Sequence, residues 1–83
     1  MIGVIKEVRA LDNYILEVVF TYGHIRQYDC RKLIDAFPVF QAMVRNPEIF
    51  LYPQVDCGGY GVTWNDNLDV AAEEIWDNGE LIR

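Results

Sequence analysis

Apolar and polar residues alternate most clearly in the first third of the chain. Residues 14–20 read YILEVVF, and every second side chain would share one face: Tyr14, Leu16, Val18 and Phe20. This period of two predicts a β-strand. Residues 2–10 and 24–28 alternate more loosely and are predicted as its neighbours. Asp12-Asn13 and Gly23 separate the three strands, and such residues tolerate the positive φ of tight turns.

Helical spacing replaces the alternation after residue 28. Asp29 is typical of a helix N-cap, with a short helix following through Leu33-Ile34. Pro38 suits the first turn of a second helical segment. Asn46-Pro47 ends that segment, and residues 48–51 are predicted as one further turn before Pro53.

The remaining residues predict two strands and a helix. Residues 54–57 and 60–64 are the strands, joined through Gly58-Gly59. A polar elbow follows at residues 65–67. Asp69 is then predicted to cap a helix that runs through Trp76 and has Gly79 at its C′ position.

These elements predict an α+β domain. Short connections within each strand group favour an antiparallel sheet of about five strands in the order βββ-α-ββ-α, with the helices packed on one face. The sequence shows no repeat, linker or low-complexity tract, and we predict a single domain over residues 1–83. A chain of this length hides only about 60% of its unfolded surface, so its core is modest.

Charge is distributed unevenly along the chain. Residues 1–45 contain six Lys or Arg and five Asp or Glu, whereas residues 46–83 contain one and eight. An acidic half repels phosphate and attracts basic surfaces. We therefore expect a small basic protein as partner and no direct nucleic-acid binding. The candidate contact residues are Asp66, Asp69, Glu73, Glu74, Asp77 and Glu80.

Apolar runs and cysteines bear on location. No run approaches the roughly 18 apolar residues of a membrane span, and the N-terminus does not resemble a signal peptide. We expect a cytoplasmic protein with no membrane partner, in which Cys30 and Cys57 are free thiols. Exposed strand edges and a limited core make a homodimer a further prediction.

Several residue groups resemble parts of known sites without completing them. Asn65, Asn67 and Asp69 have calcium-loop spacing, but the Gly and Glu that such a loop needs are replaced by Val70 and Trp76. A polar elbow is the favoured interpretation. The glycines at residues 58, 59 and 61 lack the Lys-Ser/Thr of a phosphate loop. Neither pattern supports a metal or cofactor.

Catalytic side chains are equally sparse. His24 is the only histidine and is expected at the surface beside a turn. Cys30 is expected to be a buried thiol where a strand meets a helix. Glu73, Glu74 and Asp77 are predicted on a solvated helix face, where burial cannot tune them for acid–base chemistry. We therefore predict that the domain is not an enzyme.

Three segments match a family pattern: FTYGHIRQYD at residues 20–29, NPEIF at 46–50 and GVTWNDNLD at 61–69. In these segments the chain resembles a small bacterial family, domain of unknown function family 2442. The resemblance implies no established activity, cofactor or catalytic residue. It does imply a companion protein in a two-gene unit of the toxin–antitoxin kind. Gln27 departs from the pattern, because the family more often has an apolar residue there.

Two functional hypotheses follow. The first is a protein-interaction module, antitoxin-like or regulatory, that binds a basic partner through its acidic C-terminal half. The alternative is a small-ligand-binding or enzymatic domain with a cleft between sheet and helices. That cleft would lie near four residues: His24, Tyr28, Cys30 and Tyr60.

Overall fold

The computed structural model describes residues 3–83; the predicted strand start at Ile2 lies outside them. The strands are β1 (Ile5–Ala10), β2 (Ile15–Phe20), β3 (Ile25–Asp29), β4 (Gln54–Val55), β5 (Gly61–Asn65), β6 (Leu68–Ala71) and β7 (Glu80–Leu81). The α-helices are α1 (Arg31–Ala36), α2 (Ala42–Arg45) and α3 (Ala72–Asn78). Short 3₁₀ turns cover Asp12–Tyr14, Pro38–Gln41 and Pro47–Leu51.

The strands form two antiparallel sheets with the orders β1-β2-β3-β7 and β4-β5-β6. The predicted α+β class with antiparallel pairing is confirmed, although the strands divide between two sheets instead of forming one. Helix α3 contacts β3 of the first sheet and both β5 and β6 of the second. It therefore packs on both sheets and not on one face of a single sheet.

The inner face of β2 forms the centre of the core. Leu16, Val18 and Phe20 are completely buried, as their alternation predicted. Tyr14 does not extend this strand. It lies in the preceding 3₁₀ turn with φ of 62°, and its hydroxyl donates to the Met43 carbonyl at 3.1 Å. The predicted turn residues Asn13 and Gly23 have the expected positive φ, 60° and 88°.

Asp29 was predicted as the N-cap of α1, and this prediction is wrong by one residue: Asp29 is the last residue of β3, and Cys30 is the N-cap, without a side-chain cap. The Asp29 carboxylate accepts from the Arg31 backbone N–H at 2.9 Å and forms an ion pair with the Arg31 guanidinium. Hydrogen bonding to Arg31 lowers the pKa of Asp29. The residue between them, Cys30, donates its N–H to Tyr14 and closes the turn between strand and helix.

An aromatic cluster holds the segment between α1 and β4 against the second sheet. Trp64 packs against Phe40 and Phe50 with ring centroids 6.1 Å from each, and its indole N–H donates to the Phe50 carbonyl. Tyr14 meets Phe50 edge to face at 5.3 Å. Because prolines open both 3₁₀ turns, this segment is helical only in short pieces.

Residues 68–71 were predicted to lead into a helix capped by Asp69, and this prediction is wrong. They form β6, in which Leu68 and Val70 are buried and Asp69 is exposed, and α3 begins at Ala72 without a side-chain cap. A bulge between Thr63 and Asn65 aligns β6 with β5. The apolar–polar alternation thus prevailed over the local capping preference.

Gly79 ends α3 but does not have the left-handed conformation expected at C′. Its φ and ψ are −81° and 156°, and its N–H donates to the Ile75 carbonyl. A Cβ at this position would lie 2.5 Å from that carbonyl oxygen. Glycine is required here because the chain passes so closely over the helix end before it enters β7.

The helices are short. The longest, α3, has seven residues, and among residues 3–83 none has the length and apolar character that crossing a bilayer demands.

Candidate functional site

A concave surface lies between two parts of the chain that are distant in sequence. One wall is α1 with the Pro38–Gln41 turn, and the other is β6 with the start of α3. The space between them is about 590 Å³ and open to solvent. We call it the α1–β6 groove.

The first wall of the α1–β6 groove is apolar. Phe37 and Val39 are 52% and 48% exposed, whereas Leu33 and Phe40 beneath them are buried in the core. Large apolar side chains that are half exposed side by side form a contact surface and add little to the core. Sequence analysis missed these two residues. The signal was the FPVF run at residues 37–40, whose apolar side chains cannot all face inward around a proline.

The second wall brings together two of the six predicted contact residues. Asp69 on β6 and Glu74 on α3 both line the groove, as does Asn67, whereas the single cation of the groove, Lys32, lies on α1 in the first wall. The other four are exposed but do not line it. Asp66 lies in the turn between β5 and β6, Glu73 and Asp77 lie on α3, and Glu80 lies on β7.

Glu74 is positioned by the core. The Tyr28 hydroxyl donates to its Oε2 at 2.9 Å, and Tyr28 itself is completely buried. Burial is the main cause that raises the pKa of Tyr28, and the hydrogen bond to Glu74 adds to it. The phenol therefore stays protonated at neutral pH and acts as a fixed donor that holds the Glu74 carboxylate at the groove.

Lys32 brings one positive charge to the groove from α1. Its Nζ lies 5.3 Å from the centre of the Tyr28 ring and donates to the Asn78 carbonyl at 3.4 Å. It forms no ion pair with Asp69 or Glu74; the ion pairs among residues 3–83 are Arg9–Glu17 and Arg31–Asp29. The groove thus has two carboxylates and one ammonium group, and no ion pair joins them.

The four residues of the alternative cleft do not surround a common space. Tyr28 and Cys30 are completely buried, whereas Tyr60 is 71% exposed and lines a different groove with Thr21 and Tyr22. His24 is exposed, and its ring packs edge to face on Trp76 at 5.3 Å. This arrangement gives no support to a substrate cleft at these residues.

Cys30 is buried at the junction of strand and helix, as predicted. Burial, with the negative charge of Asp29, raises the pKa of its thiol to about 12. A nucleophilic cysteine needs the opposite shift, since the thiolate is the reactive form. Cys57 is exposed, and both cysteines are free thiols.

The elbow with calcium-loop spacing is held by its own hydrogen bonds. Asn65 Oδ1 accepts from the Asn67 N–H at 2.8 Å, an Asx turn that satisfies the bend between β5 and β6. Asp69 lies on the following strand. Across residues 3–83, no three or more His, Cys, Asp or Glu side chains are arranged to hold a metal ion.

Comparison with known proteins identifies the chain at the level of a family. Searches of curated proteins and of solved structures gave no match. One family model, described as a protein of unknown function (DUF2442), matches residues 5–80. This match covers β1 to the start of β7, and it confirms the resemblance carried by the FTYGHIRQYD, NPEIF and GVTWNDNLD segments. The chain therefore belongs to the DUF2442 family.

Proposed function

We propose that this domain is a protein-interaction module that binds a basic protein partner through its acidic C-terminal half. The α1–β6 groove is the observation that carries the proposal. It places Phe37 and Val39 opposite Asp69 and Glu74, an apolar wall facing a negative one. Interfaces commonly combine an apolar centre with charged groups that select and steer the partner.

The uneven charge supports the same partner. Residues 46–83 carry eight acidic side chains and one arginine, so the field around this half attracts basic proteins and repels nucleic acid and anionic membranes. Steering of this kind weakens with salt. A companion from the same two-gene unit is the proposed partner, with this chain as its antitoxin-like or regulatory member.

Binding without catalysis is part of the proposal. Cys30 is buried with a raised thiol pKa, and His24 packs edge to face on Trp76. Of the two groove carboxylates, Asp69 and Glu74, the second accepts a hydrogen bond from the Tyr28 hydroxyl. These positions favour a surface that recognises a protein over one that transforms a substrate.

Co-expression with the protein encoded beside it, followed by affinity capture at low salt, tests the proposal. We expect a stable complex that weakens as salt rises. The triple variant D66N/D69N/E73Q should weaken it, because these acids are exposed and make no ion pair within residues 3–83.

The matched control removes the same charge elsewhere. The variant E7Q/D12N/D35N neutralises three exposed acids of the first half and should leave the complex unchanged at the same salt. Equal weakening of the complex by both triple variants would show that binding depends only on the net charge of the protein. Failure to capture the neighbouring protein with the unaltered chain would rule out the proposed partner.

A further inference from the structure

The wall of the α1–β6 groove formed by β6 is the open edge of a sheet. The second sheet has the order β4-β5-β6, so β6 has a neighbouring strand on one side only. Residues on an antiparallel strand alternate between those whose N–H and C=O bond to the neighbour and those whose groups point away. The hydrogen bonds of this sheet show which residues of β6 point their backbone toward β5 and which point it away.

Val70 and Ala72 direct their backbone toward β5. The Ala72 N–H donates to the Tyr60 carbonyl at 2.8 Å, and Val70 opposes Val62 two residues further along the ladder. The intervening Gly61 faces the other way, because its carbonyl accepts from Asp56 beside β4.

Asp69 consequently points its N–H and C=O away from the sheet, and Ala71 points its N–H the same way, whereas the Ala71 carbonyl, at the N-cap, accepts the first hydrogen bond of α3. None of the turn, loop and cap hydrogen bonds within residues 3–83 uses the N–H of either residue. Both residues also line the α1–β6 groove. The groove thus has hydrogen-bonding backbone along one wall, with Phe37 and Val39 on the other.

We propose that the α1–β6 groove takes an extended segment of the partner, which adds to the second sheet as a new strand beside β6. Its backbone bonds to Asp69 and Ala71, alternate apolar side chains lie against Phe37 and Val39, and basic side chains meet Asp69 and Glu74. This inference rests on the proposed function and names how its partner is recognised. Strand addition of this kind takes affinity from the main chain and specificity from side-chain contacts.

Charge decides between a foreign segment and a second copy of this chain. Two copies paired through β6 would bring their Asp69 and Glu74 side chains into one groove, and each copy has a net charge of −6. Like charges brought together at an interface are unfavourable. The occupant is therefore a basic segment of another protein, which neutralises the two carboxylates as it pairs.

Replacing Ala71 by proline removes one outward N–H with little disturbance to the fold. Ala71 has φ of −71° and ψ of 148°, which a proline ring allows, and Val70 before it is extended. Proline is tolerated on an edge strand where its nitrogen faces outward. The matched control is Ala71→Ser, which keeps the N–H.

The probe is a synthetic peptide of about eight residues that alternates lysine and valine, with both ends blocked. Calorimetry should show binding to the unaltered protein, about tenfold weaker binding to Ala71→Pro, and little change for Ala71→Ser. The same peptide methylated on alternate backbone nitrogens should also lose about tenfold. Amide hydrogen exchange at Asp69 and Ala71 should slow when the unmodified peptide binds.

The outcomes separate this inference from the proposed function. Equal binding by Ala71→Pro and the unaltered chain, equal binding of methylated and unmethylated peptide, or no binding of the peptide overturns strand addition. The partner capture and its charge variants would still stand. If Ala71→Pro does not fold, the methylated peptide on the unaltered chain decides. A dimer that Ala71→Pro dissociates would make a second copy the occupant and also overturn the inference.

Discussion

The two sheets end in different edge strands. In the first sheet, β2 and β3 have neighbours on both sides, β1 meets the second sheet where the Ile5 N–H donates to the Gly59 carbonyl, and the outer edge is β7, a strand of only two residues. The second sheet ends at β6, whose outward backbone lines the α1–β6 groove. The unpaired backbone groups of an edge strand can pair with a strand of another chain, and proteins usually cover or shorten such edges.

Because of this difference, we expect the first sheet to determine the stability of the fold and the α1–β6 groove to determine the proposed partner binding. Under the first sheet, Leu16, Val18 and Phe20 of its inner strand β2 are completely buried in the core. The groove has half-exposed apolar side chains and two carboxylates that form no ion pair within residues 3–83. Substitutions in the first region should therefore change the free energy of unfolding, and those in the second should change binding.

The largest effect is expected at Phe20. Replacing it by alanine removes a completely buried ring that also meets Trp76 edge to face at 5.1 Å. Losses of this type cost about 3–5 kcal/mol, a large part of the stability of a domain this small. Urea unfolding followed by tryptophan fluorescence measures the loss.

Val39→Ala is the corresponding change at the groove. Val39 is 48% exposed, so its truncation should cost less than about 1 kcal/mol. A cost at Val39 similar to that at Phe20 would contradict the division between a stabilising sheet and a binding groove.

A substitution at Gly79 tests how β7 is held against β3 at the edge of the first sheet. Its Cβ would meet the Ile75 carbonyl at 2.5 Å and approach Arg26 and Gln27 of β3 at 3.3 Å. Gly79→Ala should therefore move β7 away from β3 and cost roughly 2 kcal/mol. Urea unfolding gives the stability, and amide exchange at Arg26 and Gln27 reports whether β7 separates.

Gly23→Ala is the matched control. Gly23 has φ of 88° with no atom within 4 Å of the added Cβ, so its substitution carries only the conformational penalty of about 1 kcal/mol. A larger cost at Gly23 than at Gly79 would show that the close approach to the helix end is not what requires glycine.

The same contrast explains what the sequence could and could not predict. Leu16, Val18 and Phe20 alternate within a run rich in β-branched and aromatic residues, so local pattern and final burial agree. In β6 the alternation lasts four residues and is followed at once by helix. Asp69 then looks like a helix cap, and only pairing with β5 shows it to be a strand residue.

The groove was beyond prediction for a related reason. Asp69 and Glu74 were chosen from charge alone, whereas Phe37 and Val39 were not chosen at all. These residues become neighbours through the packing of α1 and its following turn opposite β6. Contacts between segments about 30 residues apart leave no periodic signal in one sequence.

Cys30 should make stability fall at alkaline pH. Its thiol pKa is raised from about 8.5 in an unfolded chain to about 12 in the folded one. The folded state therefore keeps a proton that the unfolded state releases, and stability decreases as pH rises between these values. The slope is about 1.4 kcal/mol per pH unit.

Urea unfolding between pH 8 and pH about 11 measures this slope. Cys30→Ala should remove its contribution while lowering stability at every pH, because a small cavity remains. Cys57→Ala changes an exposed thiol and should keep the slope. An identical slope in all three proteins would contradict a role for burial of Cys30.

The smallest effect on the free energy of unfolding is expected from substituting Glu17, which forms an ion pair, and Asp69, which does not. Glu17 lies on the solvent side of the first sheet, and its carboxylate accepts hydrogen bonds from Arg9 at 2.8 Å and from Gln27 at 3.3 Å. Gln27, an unusual residue for the family pattern, thus has a polar partner. The hydrogen bond from Arg9 is the first cause that lowers the pKa of Glu17.

Glu17→Gln should cost about 0.5 kcal/mol near neutral pH, since Arg9 is largely exposed and solvent weakens the pair. The cost should disappear as the pH falls through the lowered pKa of Glu17, because a protonated carboxyl no longer pairs with Arg9. Asp69→Asn should leave stability unchanged within about 0.3 kcal/mol, because Asp69 makes no ion pair within residues 3–83. If Asp69→Asn instead destabilised the fold more than Glu17→Gln, its carboxylate would serve the sheet and not a partner.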